Sequence, residues 1–189
     1  EEKTDGETVE LLSKKRFSKD EYEKALEECA AYNSEIARVS SVQSKKDKIL
    51  PGKLYSLSTL QNLLGKKYKM SMSDSLEIIQ KLYEEGYLTY PRTNSEYLAT
   101  AEKDKIKTII SNVARLGYPV KFKDSKNIFN DSKIESHSAL TPTYKIPDVN
   151  KLSEKEKQVY STVFRRFVAV FCAEECLCEK SEIKIKVGE

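Results

Sequence analysis

The segment from Gly86 to Ser95 reads Gly-Tyr-Leu-Thr-Tyr-Pro-Arg-Thr-Asn-Ser, and it alternates like a short strand before it breaks at a proline. Pro91 disfavours the α region for the residue before it, so Tyr90 is predicted to be extended. Because side chains two apart in an extended chain point to one side, we expect Tyr90 and Arg92 to project together. A guanidinium binds phosphate oxygens in a fork, and a tyrosine hydroxyl is able to act as a nucleophile. The pair therefore has the chemistry to form a phosphotyrosine.

Two further segments flank this one in the chain. Residues Leu54 to Gln61 read Leu-Tyr-Ser-Leu-Ser-Thr-Leu-Gln, and residues His137 to Thr143 read His-Ser-Ala-Leu-Thr-Pro-Thr. Together with residues Leu82 to Thr93, they closely resemble three ordered signatures of type IA DNA topoisomerases, nearest the topoisomerase III branch. The resemblance covers most of the chain, from about Phe17 to the end.

The resemblance implies roles for individual residues. Tyr90 occupies the place of the family's nucleophile, which attacks a single-strand phosphodiester and leaves a 5'-phosphotyrosine and a free 3'-hydroxyl. Because one phosphate ester replaces another of similar energy, the strand is resealed without ATP. Arg92 matches the family's arginine, which would hold the scissile phosphate. Further contacts with DNA are implied for five residues, namely His137, Thr141, Thr143, Ser95 and Gln61.

The implied cofactor is Mg²⁺. Family members hold it with a Glu and an Asp-x-Asp-x-Asp cluster in a separate N-terminal domain, and no Asp-x-Asp occurs in this sequence. We therefore expect no metal site in this chain and no activity from the chain by itself. Asn94 stands where the family commonly has Asp, so a carboxylate role at that position is not expected.

Hydrophobic periodicity and capping signals predict an α+β chain that is mostly helical. Five pairs three residues apart predict helix starts, namely Ser18 with Glu21, Ser58 with Gln61, Ser71 with Asp74, Thr93 with Glu96 and Ser153 with Glu156. Gly65 and Gly86 are expected to end the helices that start at Ser58 and Ser71. Two short helices followed by a strand at 87–90 resemble a winged helix.

The resemblance also predicts a domain organisation. Residues 1–56 are expected to be an arch and hinge segment, 57–175 a helical domain that carries the tyrosine, and 176–189 a returning arch strand. Because the chain starts at Glu1 rather than Met and stops after a strand-like run, we expect a piece of a longer protein. The expected partners are single-stranded DNA and the remaining domains of the same polypeptide.

Composition adds weaker constraints. The longest apolar run is far below the ~20 residues of a membrane helix, so no membrane partner is expected, and the expected location is cytoplasmic, or nucleoid-associated in a bacterium. A net charge of +3 is too small to demonstrate nucleic-acid binding. Lysines do cluster, for example at Lys66, Lys67 and Lys69, although a single cluster is typical of a solvated turn.

Two other functions remain open from the residues. One is a non-enzymatic winged-helix DNA binder that reads a groove with residues 72–85. That helix carries an excess of acidic residues, which suits a polyanion poorly; they are Asp74, Glu77, Glu84 and Glu85, against Lys81. The other is a structural module in which Tyr90 packs in a core.

Overall fold

The computed structural model describes residues 2–4, 7–9, 15–34 and 36–187. It divides into two units, one formed by Glu1–Asp47 with Glu179–Glu189 and the other by Lys48–Cys178. Helices predominate and strands form two small sheets. The predicted α+β class is confirmed, and the arch and tyrosine-domain boundaries stay a prediction.

Among its described residues, the first unit contains one α-helix, one strand pair and most of a second strand pair. Strands β1 (Glu2–Thr4) and β2 (Glu7–Val9) are antiparallel, with Lys3 opposite Thr8. Helix α1 (Tyr22–Ser34) follows a 3-10 turn that begins at a capping box formed by Ser18 and Glu21.

Strand β3 (Ala37–Ile49) pairs with strand β4 (Cys176–Val187), and most of this pair lies in the first unit. Side chains support the pairing, because the Ser40 hydroxyl donates to the Lys184 carbonyl at 3.0 Å. Both strands are largely exposed along their described length.

The second unit holds the buried core and four helices of the described chain. These are α2 (Leu57–Tyr68), α3 (Met72–Glu84), α4 (Lys103–Arg115) and α5 (Glu154–Val170). Helix α5 packs against α2 and α3. The largest side chains in the core include Leu60, Leu64, Ile79, Leu82, Ile106, Ile109, Phe167 and Phe171. None of the described helices combines the length and hydrophobicity that a membrane span requires.

Three of the five predicted helix starts are confirmed, the first being the one at Ser18 and Glu21. The Ser71 hydroxyl accepts the N–H of Asp74 at the start of α3, and the Ser153 hydroxyl accepts the N–H of Glu156 at the start of α5. The predicted end of α3 is also confirmed, because Gly86 follows it with a φ of 77°. A positive φ costs glycine little.

Four local predictions are wrong. Helix α2 starts after Ser56 rather than at Ser58, and it continues through Gly65 to Tyr68, with Lys69 as its cap at a φ of 55°. No helix starts at Thr93, because its hydroxyl donates to the carbonyl of His137 at 2.7 Å and α4 begins ten residues later. The strand predicted at 87–90 is reduced to a single bridge between Leu88 and Pro142.

Candidate active site around Tyr90

The segment that carries Tyr90 is held in place by residues 137–143. The N–H of Thr89 donates to the carbonyl of Thr141 at 3.0 Å, and the N–H of Thr143 donates to the carbonyl of Tyr87 at 3.0 Å. The hydroxyl of Thr89 also accepts the N–H of Thr141 at 3.0 Å. These bonds fix the backbone immediately before Tyr90.

Thr93 connects all three signature segments. Its side chain is 2% exposed, and its hydroxyl donates to the carbonyl of His137 and accepts the N–H of Ser95 at 3.0 Å. Its carbonyl accepts the N–H of Leu57, the first residue of α2, at 3.0 Å. The backbone of the 137–143 segment returns to the first signature through a bond from the N–H of Leu140 to the carbonyl of Tyr55. The segments that resemble family signatures are therefore one hydrogen-bonded structure.

The ring of Tyr90 lies between two other rings. The centroid of the His137 imidazole is 4.5 Å away with the ring planes at 49°. The ring of Tyr83 meets Tyr90 edge-on at 5.4 Å. Tyr90 is half-buried and His137 is exposed. Since Tyr90 is half-buried and is not among the buried core residues, the interpretation of this residue as a purely structural side chain loses support.

Arg92 is exposed on the same segment. Within residues 15–34 and 36–187, its guanidinium makes no ion pair or hydrogen bond, and the ring contacts of Tyr90 are with His137 and Tyr83. A guanidinium that is not committed to a protein carboxylate keeps its fork of donors available for phosphate oxygens.

The side chains of other residues predicted to contact DNA make hydrogen bonds within the fold. The Gln61 amide donates to the carbonyl of Met72 at 2.8 Å and so links α2 to α3. The Ser95 hydroxyl donates to the carbonyl of Lys133 at 3.0 Å, and that of Thr143 to the carbonyl of Gly86 at 2.6 Å.

Thr141, the fourth of these residues, is 1% exposed. Of the predicted DNA contacts, the structure thus brings only His137 to Tyr90, whereas Gln61, Ser95 and Thr143 make hydrogen bonds within the fold. Direct DNA contacts by these three residues and Thr141 stay a prediction.

Sequence reasoning missed several neighbours of the site. A depression beside His137 is lined by Asn94 and Ser95, which the sequence had indicated, and by Lys133, Glu135 and Ser136, which it had not. Another missed neighbour is Tyr83, which lies on α3 and is 36% exposed. No local signal links it to Tyr90, because the pairing depends on the turn at Gly86.

Comparison with known proteins decides the family. A family model described as DNA topoisomerase matches residues 1–189. The chain belongs to the type IA DNA topoisomerase family. It is 34% identical over 160 residues to DNA topoisomerase 3 of Staphylococcus haemolyticus, and 29% identical over 168 residues to that of Staphylococcus saprophyticus. These names fit the predicted topoisomerase III branch.

This topoisomerase chain corresponds to part of its relatives. The alignments cover 80% and 84% of the chain but only 22% and 24% of those two relatives. A solved structure titled full-length topoisomerase I from Thermotoga maritima shares the fold, with a TM-score of 0.58 at 22% identity. That match covers 94% of this chain and 29% of the solved one.

The described residues of the topoisomerase chain do not form a site that fits the implied Mg²⁺. In the ranges 15–34 and 36–187, no group of three His, Cys, Asp or Glu side chains is arranged to hold a metal ion. No chemical step at Tyr90 is therefore assigned to a metal held by these residues.

The groove-reading alternative is not favoured for this topoisomerase chain. Helix α3 is tied to α5 by ion pairs between Asp74 and Lys155 at 3.1 Å and between Lys81 and Glu156 at 2.5 Å. Lys81, the one cation of the helix, is thereby committed to a protein carboxylate. A winged-helix arrangement as such stays a prediction.

Proposed function

We propose that the chain is the nucleophile-bearing part of a type IA DNA topoisomerase. In this proposal Tyr90 cleaves one DNA strand, a second strand passes through the break, and the first strand is resealed, so that DNA is relaxed or decatenated. The observation that carries the proposal is the convergence of the three signature segments on Tyr90, with the His137 ring 4.5 Å from the Tyr90 ring.

The covalent step balances without a further reactant. The phenolic oxygen of Tyr90 forms a bond to phosphorus while the bond from phosphorus to the 3'-oxygen breaks. The phenol loses a proton and the 3'-oxygen gains one, so the products are a 5'-phosphotyrosine and a 3'-hydroxyl. The reverse reaction restores the strand, and no ATP is consumed because both states are phosphodiesters.

Two neighbours of Tyr90 have distinct tasks in this proposal. Arg92 binds the non-bridging oxygens of the scissile phosphate and stabilises the charge that builds on them in the transition state. His137 contacts a phosphate next to the broken bond, because its exposed ring lies on one side of the nucleophile. The buried Thr93 orients both segments without touching DNA.

The remaining parts of the enzyme belong to the same proposal. The chain spans less than a quarter of the two aligned Staphylococcus relatives, which supports a larger polypeptide whose other domains hold Mg²⁺ and complete the DNA gate. The proposal includes activity in the cytoplasm, with the DNA, and the bacterial origin of those relatives supports it.

The test is to trap the adduct with end-labelled single-stranded DNA and the full-length protein. A 5'-phosphotyrosine retains the 3'-label on the protein and releases the 5'-label on a free oligonucleotide. Tyr90→Phe is expected to abolish the labelled protein, whereas Tyr144→Phe, which changes a tyrosine that is 70% exposed, is expected to keep it. Equal adduct from both variants would reject Tyr90 as the nucleophile.

The roles of Arg92 and His137 are tested by single-turnover cleavage. Because loss of one group that stabilises the transition state costs about 10²–10³ in rate, Arg92→Ala and His137→Ala are each expected to slow cleavage to about that extent. Arg115→Ala, at the exposed end of α4, is the matched control and is expected to cleave at the wild-type rate. Wild-type cleavage by Arg92→Ala would remove its role.

A further inference from the structure

A cluster of cations lies where the end of α2 meets α5. Lys66 and Lys67 are in the last turn of α2, Lys69 follows it, and Arg165 lies on α5. All four side chains are exposed. These four residues are called the α2–α5 cationic patch.

Tyr68 links the two helices within the patch. The ammonium of Lys67 lies 5.1 Å from the centroid of the Tyr68 ring. The pKa of the Tyr68 phenol is lowered, chiefly by a hydrogen bond from the Lys67 ammonium, with smaller contributions from the Thr162 hydroxyl and the Arg165 charge. Thr162 and Arg165 belong to α5, which packs against α2, so the phenol of Tyr68 lies near polar and charged side chains of the neighbouring helix.

No carboxylate forms an ion pair with the patch within the ranges 15–34 and 36–187. The ion pairs of α3 and α5 use other cations, such as Lys81 and Lys155. Like charges that are held together without counter-charges repel one another, and a bound polyanion relieves that repulsion. The helix dipole favours lysines in the last turn of α2, but it does not account for Arg165 in the interior of α5.

The patch is separate from the Tyr90 site but connected to it by one helix. Leu57, at the start of α2, is bonded to Thr93, and Lys66 lies nine residues further along. At 1.5 Å per residue, that distance is about 14 Å along the helix axis. A strand bound at Tyr90 therefore has to extend beyond the nucleotides around Tyr90 to reach the patch.

We propose that the α2–α5 cationic patch binds backbone phosphates of single-stranded DNA at a second site, beyond the nucleotides that contact Tyr90. Lysine and arginine side chains are the usual partners of such phosphates, and the half-buried Tyr68 offers a phenol between them. The inference rests on the proposed function for its choice of DNA as the polyanion. The patch holds the strand while the ends at Tyr90 are separated.

The test measures how salt weakens binding of the full-length protein to a single-stranded oligonucleotide of about 16 nucleotides. Each phosphate contact on a single strand contributes about 0.7 to the slope of log K against log salt concentration. A triple variant that replaces three patch cations by glutamine is therefore expected to lower the slope by about 2. Its changes are Lys66→Gln, Lys67→Gln and Arg165→Gln; Lys69 is kept because its φ of 55° ends α2.

Two control variants separate local from general effects. The first control replaces three exposed lysines elsewhere in the second unit and so removes the same charge as the patch variant. It is expected to have the wild-type slope within experimental error; its changes are Lys121→Gln, Lys126→Gln and Lys151→Gln. A charge-conserving variant is expected to keep the wild-type slope; its changes are Lys66→Arg, Lys67→Arg and Arg165→Lys. Equal slopes for the two glutamine variants would overturn the proposal, as would a slope change seen only with duplex DNA.

Failure here is distinguishable from failure of the proposed function. An oligonucleotide of about 4 nucleotides, the lower end of single-strand site sizes, is too short to occupy both sites. The patch variant is expected to form the covalent adduct with it as the wild-type protein does. Loss of the adduct only on Tyr90→Phe, with an unchanged slope in the patch variant, would refute the patch and leave the nucleophile intact.

Discussion

Thr93→Val tests whether one buried hydroxyl fixes the geometry around Tyr90. Valine keeps the shape of threonine but removes the bond to the carbonyl of His137 at 2.7 Å and the bond from the N–H of Ser95 at 3.0 Å. Because Thr93 is 2% exposed, water does not replace these partners. At about 0.5–1.5 kcal/mol for each bond, we expect a loss of about 1–3 kcal/mol in the free energy of unfolding.

The assay is thermal unfolding followed by circular dichroism. A loss of 2 kcal/mol corresponds to a fall of about 4–8 °C in Tm for a chain of this size. Thr93→Ser keeps the oxygen and is expected to recover most of the loss. Thr108→Val is the control, because Thr108 is exposed and bonds only within its helix, and surface changes usually stay within about 0.5 kcal/mol.

The functional arm uses the adduct assay. If Thr93 orients the His137 segment, Thr93→Val lowers the rate of adduct formation even at temperatures where the variant is fully folded. A Thr93→Val protein as stable as Thr108→Val, and with wild-type adduct formation, would refute the reasoning that Thr93 joins the signature segments.

Three further predictions concern stability. Gly65→Ala is expected to stabilise the protein by about 0.5–1 kcal/mol, because the glycine lies inside α2 and a Cβ would meet only the Met70 carbonyl at 3.5 Å. Gly86→Ala is expected to destabilise the protein, because Gly86 has a φ of 77°. Chemical denaturation measures the free energy of unfolding of both variants. Tyr160→Phe is expected to stabilise the protein, because the buried hydroxyl of Tyr160 has no partner among the described residues. Burial raises the pKa of this phenol above the ordinary 10.0. The stability of the wild-type protein is therefore expected to fall above pH 10, and that of the variant to fall less. The pKa of Glu156 is lowered below 4.5, chiefly by a hydrogen bond from the Lys81 ammonium. The contribution of this carboxylate to the stability of the fold is therefore present above pH 4.5 and lost as the pH falls further. A Glu156→Gln protein with the same acid unfolding curve as the wild-type protein would contradict this prediction.

Local signals predicted local structure well. The Ser71 and Ser153 caps depend on bonds to residues three positions on, so the sequence alone specifies them. The start of α2 was predicted at Ser58, whereas the structure caps the helix with Ser56, whose hydroxyl accepts the N–H of Thr59. A distant bond between Leu57 and Thr93 also holds this turn, and local spacing carries no information about that bond.

The candidate site was also predictable from local sequence only in part. The constraint from Pro91 and the spacing of Tyr90 and Arg92 could be read from one segment of the sequence. The contact between Tyr90 and His137 joins residues 47 positions apart, and only the resemblance to a family indicated it. Lys66–Lys69 was recognised as a lysine cluster, but Arg165 joins it through helix packing, which no pattern in α5 predicts.

The most direct test of the central claim is to locate the nucleotide on the trapped protein by tandem mass spectrometry. Cleavage by trypsin after Lys81 and Arg92 releases the peptide Leu82–Arg92, which contains Tyr83, Tyr87 and Tyr90. The account predicts that the fragment ions place the phosphate and its attached nucleotide on Tyr90. A nucleotide on Tyr83 or Tyr87, or on any residue outside this peptide, would contradict it.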